Sequence, residues 1–101
     1  MIARYWSART SAERAPLYAD HLRNAVFPEL KKLAGYKSGT LLRREMPDGV
    51  EVLVITYWDS LASIHSFAGN DVETAVVADK TAALLNDFDR RVRHYEVVFE
   101  L

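Results

Sequence analysis

The run Val52-Leu53-Val54-Ile55-Thr56-Tyr57-Trp58-Asp59-Ser60-Leu61-Ala62-Ser63-Ile64-His65-Ser66-Phe67-Ala68-Gly69-Asn70-Asp71 carries the most decisive pattern of the chain. Its first part is β-branched and closes on an aromatic pair, which reads as a strand. Asp59-Ser60 is a helix start, and the short amphipathic segment that follows is stopped by Gly69. Tyr57, Trp58, His65 and Phe67 are thereby gathered at one strand-to-helix junction. Aromatic walls around a titratable ring are the material of a small-molecule pocket. The same residues would also serve as core aromatics and one surface histidine.

The strand is apolar on both faces, with Val52, Val54 and Thr56 on one side and Leu53, Ile55 and Tyr57 on the other. An antiparallel strand with one wet face alternates apolar and polar residues. This one does not, so its second face predicts burial against another subunit. Upstream, Tyr36 to Met46 reads as a partner strand, joined through the turn Pro47-Asp48-Gly49. Proline fixes φ there, and glycine accepts a positive value. Residues 2–8 read as the first strand, with Ile2, Arg4 and Trp6 on one face and Ala3, Tyr5 and Ser7 on the other.

Between these strands, Ala15, Tyr18, Leu22, Ala25, Val26, Leu30 and Leu33 recur at helical spacing. Pro16 requires the regular helix to begin near Arg14, and Pro28 predicts a break or kink after Val26 with a final pair of turns restarting there. Gly35 is the expected stop. Downstream, Asn70-Asp71-Val72-Glu73 is a variant capping box, which predicts a helix carrying Val72, Ala75, Val76, Leu84, Leu85 and Phe88. Arg91 to Phe99 reads as the last strand. The order β-α-β-β-α-β predicts an α+β fold, the ferredoxin-like plait with an antiparallel four-stranded sheet and helices on one face.

Composition narrows the function. A chain of 101 residues fits one domain, residues 1–101. With 13 basic and 14 acidic side chains and a net charge of −1, no stripe of positive charge is available for nucleic acid. There is no cysteine, which removes disulfides and thiolate chemistry and fits a reducing compartment. No apolar run approaches the roughly 20 residues that span a bilayer, and Met1 to Trp6 lacks the layout of a signal peptide. The expectation is a cytoplasmic protein without a membrane partner. No spacing brings three metal ligands together, and there is no glycine-rich phosphate loop or nucleophile elbow.

Met1-Ile2-Ala3-Arg4, Gly35-Tyr36, Thr56-Tyr57-Trp58-Asp59-Ser60, Phe67-Ala68-Gly69 and Arg93-His94-Tyr95-Glu96-Val97, in that order, resemble the antibiotic biosynthesis monooxygenase-like family over nearly the whole chain. The resemblance implies a dimeric α+β barrel, in which two ferredoxin-like sheets pack face to face. One branch of that family oxidises phenols or hydroquinones with molecular oxygen and neither metal nor flavin. Another binds and degrades haem, using an asparagine on the first strand and a tryptophan and a histidine on the second helical region. Strand one has no asparagine here, Phe67 stands in the tryptophan's place, and the histidine's place falls near Val77. His65 lies about three turns too early to substitute for it.

Three functional classes follow. The first is a cofactor-free monooxygenase acting on an aromatic, phenol- or hydroquinone-type molecule with molecular oxygen. The second is a non-catalytic dimeric binding or stress-related domain, and the third a haem-handling protein. Cofactor-free oxygenation needs an apolar pocket, a group to take or hold the phenolic proton, and exclusion of water. Histidine is the side chain suited to that exchange near neutrality. His21, on the apolar stripe of the first helix, and His65, at the aromatic junction, are the candidate bases; His94 reads as structural. Trp6, Trp58 and Phe67 are candidate walls, and Arg43, like Arg4, could hold a phenolate or carboxylate from a strand. A cavity between sheet and helices is expected to be bordered by Trp6, His21, Trp58, His65 and Phe67.

Overall fold

The computed structural model describes residues 1–101. Strand β1 (Ile2–Thr10) leads into helix α1 (Ala15–His21), a π-helical turn (Leu22–Val26) and the single turn α2 (Phe27–Leu30). The hairpin of β2 (Tyr36–Met46) and β3 (Gly49–Trp58) follows, then α3 (Leu61–Ala68) and α4 (Asp79–Ala82). The chain closes with β4 (Asp87–Phe88) and β5 (Arg93–Glu96). The sheet order is β2-β3-β1-β4, with β5 also on β1, and every pairing is antiparallel. This is the ferredoxin-like plait, with its C-terminal strand in two pieces.

The two prolines act as their positions require. Each falls in the first turn of a helical piece, where a missing N–H breaks no intrahelical bond. The backbone does not break at Pro28. It widens instead, with the Phe27 N–H bonding five residues back to the Leu22 carbonyl, and one turn rather than two follows. Gly35, at φ +86°, turns the chain into β2. A side chain there would run into Ser63 and Asp59.

Register places Ile2, Arg4, Trp6 and Ala8 opposite Trp58, Thr56, Val54 and Val52, all on the helix side. One core cluster gathers Ala8, Tyr18, Leu22, Val50 and Val52, and a second joins Leu30, Trp58 and Ile64. The other sheet face carries Tyr5, Leu53, Ile55 and Tyr57, which no helix covers.

The second helical region departs from expectation. Residues 70–78 form no helix; they run as an irregular strap, and regular helix is confined to Asp79–Ala82. Two causes act together. Val72, Thr74, Val76 and Val77 are poor helix formers. The backbone groups a helix would pair internally are also taken elsewhere. Arg4 holds the carbonyls of Val72 and Thr74, the Val92 N–H donates to Glu73 O at 2.8 Å, and the Ala75 N–H donates to Arg90 O at 3.0 Å. The strap is thus tied to the C-terminal strand, which bulges to meet it. Between the pairs Ala8–Phe88 and Tyr5–Arg93, that strand takes five steps against three on β1. The bulge buries Val92 and turns Arg91 outward onto Asp71 at 2.6 Å and Glu73 at 3.2 Å. The continuous strand expected over Arg91 to Phe99 is therefore short, and Val98 and Phe99 are exposed.

Candidate functional site: an apolar cavity under the sheet

A cavity of about 590 Å³ lies between the helix-side face of the sheet, the first helical region and the strap. Its size is that of a small-molecule site. Fourteen of its 21 lining residues are hydrophobic, so its few polar groups stand out.

Trp58 forms one wall. It is fully buried, its indole N–H donates to Thr56 Oγ1 at 2.9 Å, and it stacks on Phe67 with ring centroids 5.3 Å apart. Tyr36 meets it edge-on at 5.3 Å. Trp6 forms another wall. It is tilted against Phe88 at 5.9 Å, and its indole N–H donates to Asp89 O at 2.7 Å. Both indoles are locked by a hydrogen bond and a neighbouring ring, which holds the cavity open where a looser core would collapse.

Arg4 enters from β1 and is 5% exposed. Its Nη1 donates to Val72 O at 2.6 Å and to His94 Nε2 at 2.9 Å, and its Nη2 donates to Thr74 O at 2.8 Å. Burial pushes its pKa down to about 10, which leaves it charged at neutral pH. Burial, then the Arg4 charge, lower the pKa of His94, while Glu73 pulls it upward. Tyr18, 1% exposed on α1, carries a hydroxyl without a hydrogen-bond partner, and burial raises its pKa. His21, at the end of α1, is half-buried, with Nε2 at 2.7 Å from the hydroxyl of the buried Thr81. The π-turn begins immediately after His21 and presents Leu22, Ala25 and Val26 to the cavity.

Five of the seven residues singled out in the sequence meet here: Arg4, Trp6, His21, Trp58 and Phe67. His65 does not, and the expectation that it borders the cavity is corrected. Ile64 and Phe67, three residues apart, set the inward stripe of α3, and His65 is rotated about 100° from Ile64. Its ring is exposed, and Nδ1 donates to Gly69 O at 3.1 Å. Arg43 is also displaced. It pairs with Val52 on the helix side of the sheet, but β2 is an edge strand and Arg43 is exposed. The buried cation in the cavity is Arg4, and the exposed Lys80 of α4 borders it from outside. Tyr18 and Thr81 were not singled out; Tyr18 sits on the apolar stripe, and only its unpartnered hydroxyl distinguishes it from core. No three His, Asp or Glu side chains are grouped to hold a metal ion.

Fold and site together define a ferredoxin-like α+β unit with an apolar chamber between sheet and helical layer. No protein-family model matches the sequence, and no curated protein is similar to it. Solved structures of the same fold do exist. A candidate antibiotic biosynthesis monooxygenase from Deinococcus radiodurans aligns over 100% of this chain and 96% of its own, at 17% identity and a TM-score of 0.66. A haem degrader from Mycobacterium tuberculosis, with two haems bound in its active site, aligns over 100% and 99%, at 15% identity and 0.69. A further candidate antibiotic biosynthesis monooxygenase, from Bacillus cereus, aligns over 99% and 95%, at 13% identity and 0.65. No helix is long and apolar enough to cross a membrane.

Proposed function

We propose that this chain is a cytoplasmic, homodimeric monooxygenase of the antibiotic biosynthesis monooxygenase-like kind. It oxidises a phenol- or hydroquinone-type aromatic molecule in the cavity with molecular oxygen and no cofactor. The observation that carries the reading is the open, apolar chamber of about 590 Å³ with Trp6, Trp58 and Phe67 on its walls and His21 at its edge. A non-catalytic domain would be expected to fill that space with the same aromatics.

The chemistry follows from the residues. His21 takes the phenolic proton, which makes the ring a better electron donor. The phenolate passes an electron to oxygen, and the aromatic walls keep water from the radical pair. One oxygen atom becomes a carbonyl on the ring carbon and the other leaves as water. Phenol and O₂ thus give quinone and H₂O. The haem reading is weaker. Phe67 and Val77 both line the cavity, so the position expected to hold a haem-branch histidine has no ring nitrogen.

An oxygen electrode tests the proposal. With an anthrone-like phenol or a hydroquinone, in the presence of a chelator and with no flavin, uptake above autoxidation is expected. No uptake with any electron-rich phenol overturns it in favour of the binding domain. A Soret shift on haem titration would favour the haem-handling class.

A further inference from the structure

Arg4 is the sole charged side chain among the buried residues. Burying a charge is costly unless an opposite charge and full hydrogen bonding compensate. Arg4 has neither. Its three acceptors are two backbone carbonyls and an imidazole, all neutral, and none of the molecule's ion pairs includes it. A guanidinium has five N–H donors; those on Nε and one on Nη2 find no acceptor. The acidic side chains at the rim do not answer it. Glu29 is held by Lys32 at 3.1 Å, and Asp79 lies outside ion-pair distance.

Tyr18 borders the same cavity, but its hydroxyl, the one buried side-chain polar atom without a partner, is sealed off from it. The unpartnered Nε of Arg4 is not sealed in this way, and Arg4 lines the cavity. Buried polar groups are normally satisfied, so its spare donors mark where the oxygens of a ligand belong. The guanidinium sets the charge of that ligand, because among low-dielectric walls it selects an anion.

We propose that the cavity takes a monoanionic aromatic carboxylic acid: its carboxylate accepts from the free N–H groups of Arg4, and its ring system lies between Trp6 and Trp58. This rests on the reading of the cavity as the substrate site and narrows the substrate class. Because the carboxylate is ionised before binding, Arg4 seats the molecule and leaves the phenolic proton to His21.

The chain's two tryptophans, Trp6 and Trp58, both line the cavity and report its occupancy. Their fluorescence is titrated at pH 7.5 with anthracene-2-carboxylate and with anthracene-2-carboxamide, which has the same shape without the charge. The carboxylate is expected to bind about tenfold more tightly or better, the scale of a hydrogen bond to a charged group. In Arg4→Gln, folded by circular dichroism, the preference should fall below about twofold. Equal affinities in the wild type, no binding of the carboxylate, or a preference that survives in a folded Arg4→Gln overturns the inference. Should Arg4→Gln not fold, Lys80→Gln decides: Lys80 also lines the cavity, the preference should survive in that variant, and its loss there overturns the inference. Oxygen uptake plays no part in this readout. Carboxylate selectivity without oxygenase activity upholds the inference while the proposed reaction fails, and activity on neutral hydroquinones without selectivity does the reverse.

Discussion

Arg4 Nη1 lies 2.9 Å from His94 Nε2 across the β1–β5 pair, so the ring nitrogen is an acceptor and His94 is neutral in the folded state. The same Nη1 holds the Val72 carbonyl at 2.6 Å, which makes this contact part of the strap's anchorage. Protonating His94 would remove the acceptor and set a second cation beside the guanidinium. Burial and the Arg4 charge lower its pKa from the ordinary 6.5, against a weaker upward pull from Glu73. Below pH 6.5 the unfolded chain therefore binds a proton that the folded chain refuses. The stabilising contribution is complete above pH 6.5 and declines as pH falls toward the depressed folded value. Urea titrations at pH 7.5 and 5.5 should show a loss on acidification that is smaller in His94→Gln. An equal loss in both proteins would dissociate His94 from the effect.

The histidines on either side of the cavity separate by placement. His21 reaches the cavity and Thr81, whereas His65 is spent on the exposed end of α3. If His21 is the base, His21→Ala should lower oxygen uptake about 100-fold. His65→Ala should stay within about twofold, as exposed substitutions do when they touch no reacting group. The reverse ranking would move the reaction out of this cavity.

Tyr18→Phe keeps the ring among Ala8, Leu22 and Val52 and removes a hydroxyl with no partner. Leaving a buried donor unsatisfied costs about 1–3 kcal/mol, so the ligand-free variant should be more stable than the wild type by roughly 1 kcal/mol. A fall in Tm would show that the hydroxyl has a structural partner.

How much of this was legible in the sequence depended on which interaction decided each segment. The hairpin, α3 and the faces of β1 and β3 followed from local patterns: a Pro-Asp-Gly turn, a Ser60 cap accepting from the Ser63 N–H at 3.3 Å, and period-two alternation. The strap did not. Asn70 to Glu73 has the letters of a capping box, but the chain is claimed by a guanidinium 68 residues upstream and by a bulge near residue 91. Such long-range partners leave no local periodicity. His65 was misplaced for a different reason. Proximity to Trp58 in sequence outweighed the helical rotation that separates it from Ile64. Arg43 and Arg4 share a face of the sheet, and it is the place of β2 at the sheet edge and of β1 inside it that separates an exposed cation from a buried one.

The junction of β2 with the first helical region turns on Gly35. Its φ of +86° is costly for any residue with a Cβ, and the added atom would meet Ser63 and Asp59. Those two are joined by a 2.6 Å hydrogen bond that, ahead of the Ser60 contact, holds the Asp59 carboxyl below its usual pKa. Gly35→Ala should cost at least about 2 kcal/mol, the left-handed penalty plus the displacement of that pair. A loss under about 0.5 kcal/mol in urea titration would show that the turn relaxes freely.

The open face of the sheet is the site of the last prediction. Tyr5, Leu53, Ile55 and Tyr57 share this face, and Leu42 and Tyr95 beside them are 45% and 50% exposed. An apolar face of this extent is expected to be covered by a partner. Two copies packed sheet to sheet would cover it, and an obligate contact of that kind exceeds about 2,000 Å² in total. Ile55 sits on β3 between Tyr5 on β1 and Thr40 on β2, at the middle of the patch. In a monomer its side chain faces water, so Ile55→Glu should leave the fold and its circular dichroism intact. In a dimer it would bury two carboxylates without partners, at several kcal/mol each. Sedimentation at micromolar concentration should find a dimer for the wild type and a folded monomer for Ile55→Glu. A monomeric wild type would leave these apolar side chains in water and remove the dimer from the proposed function.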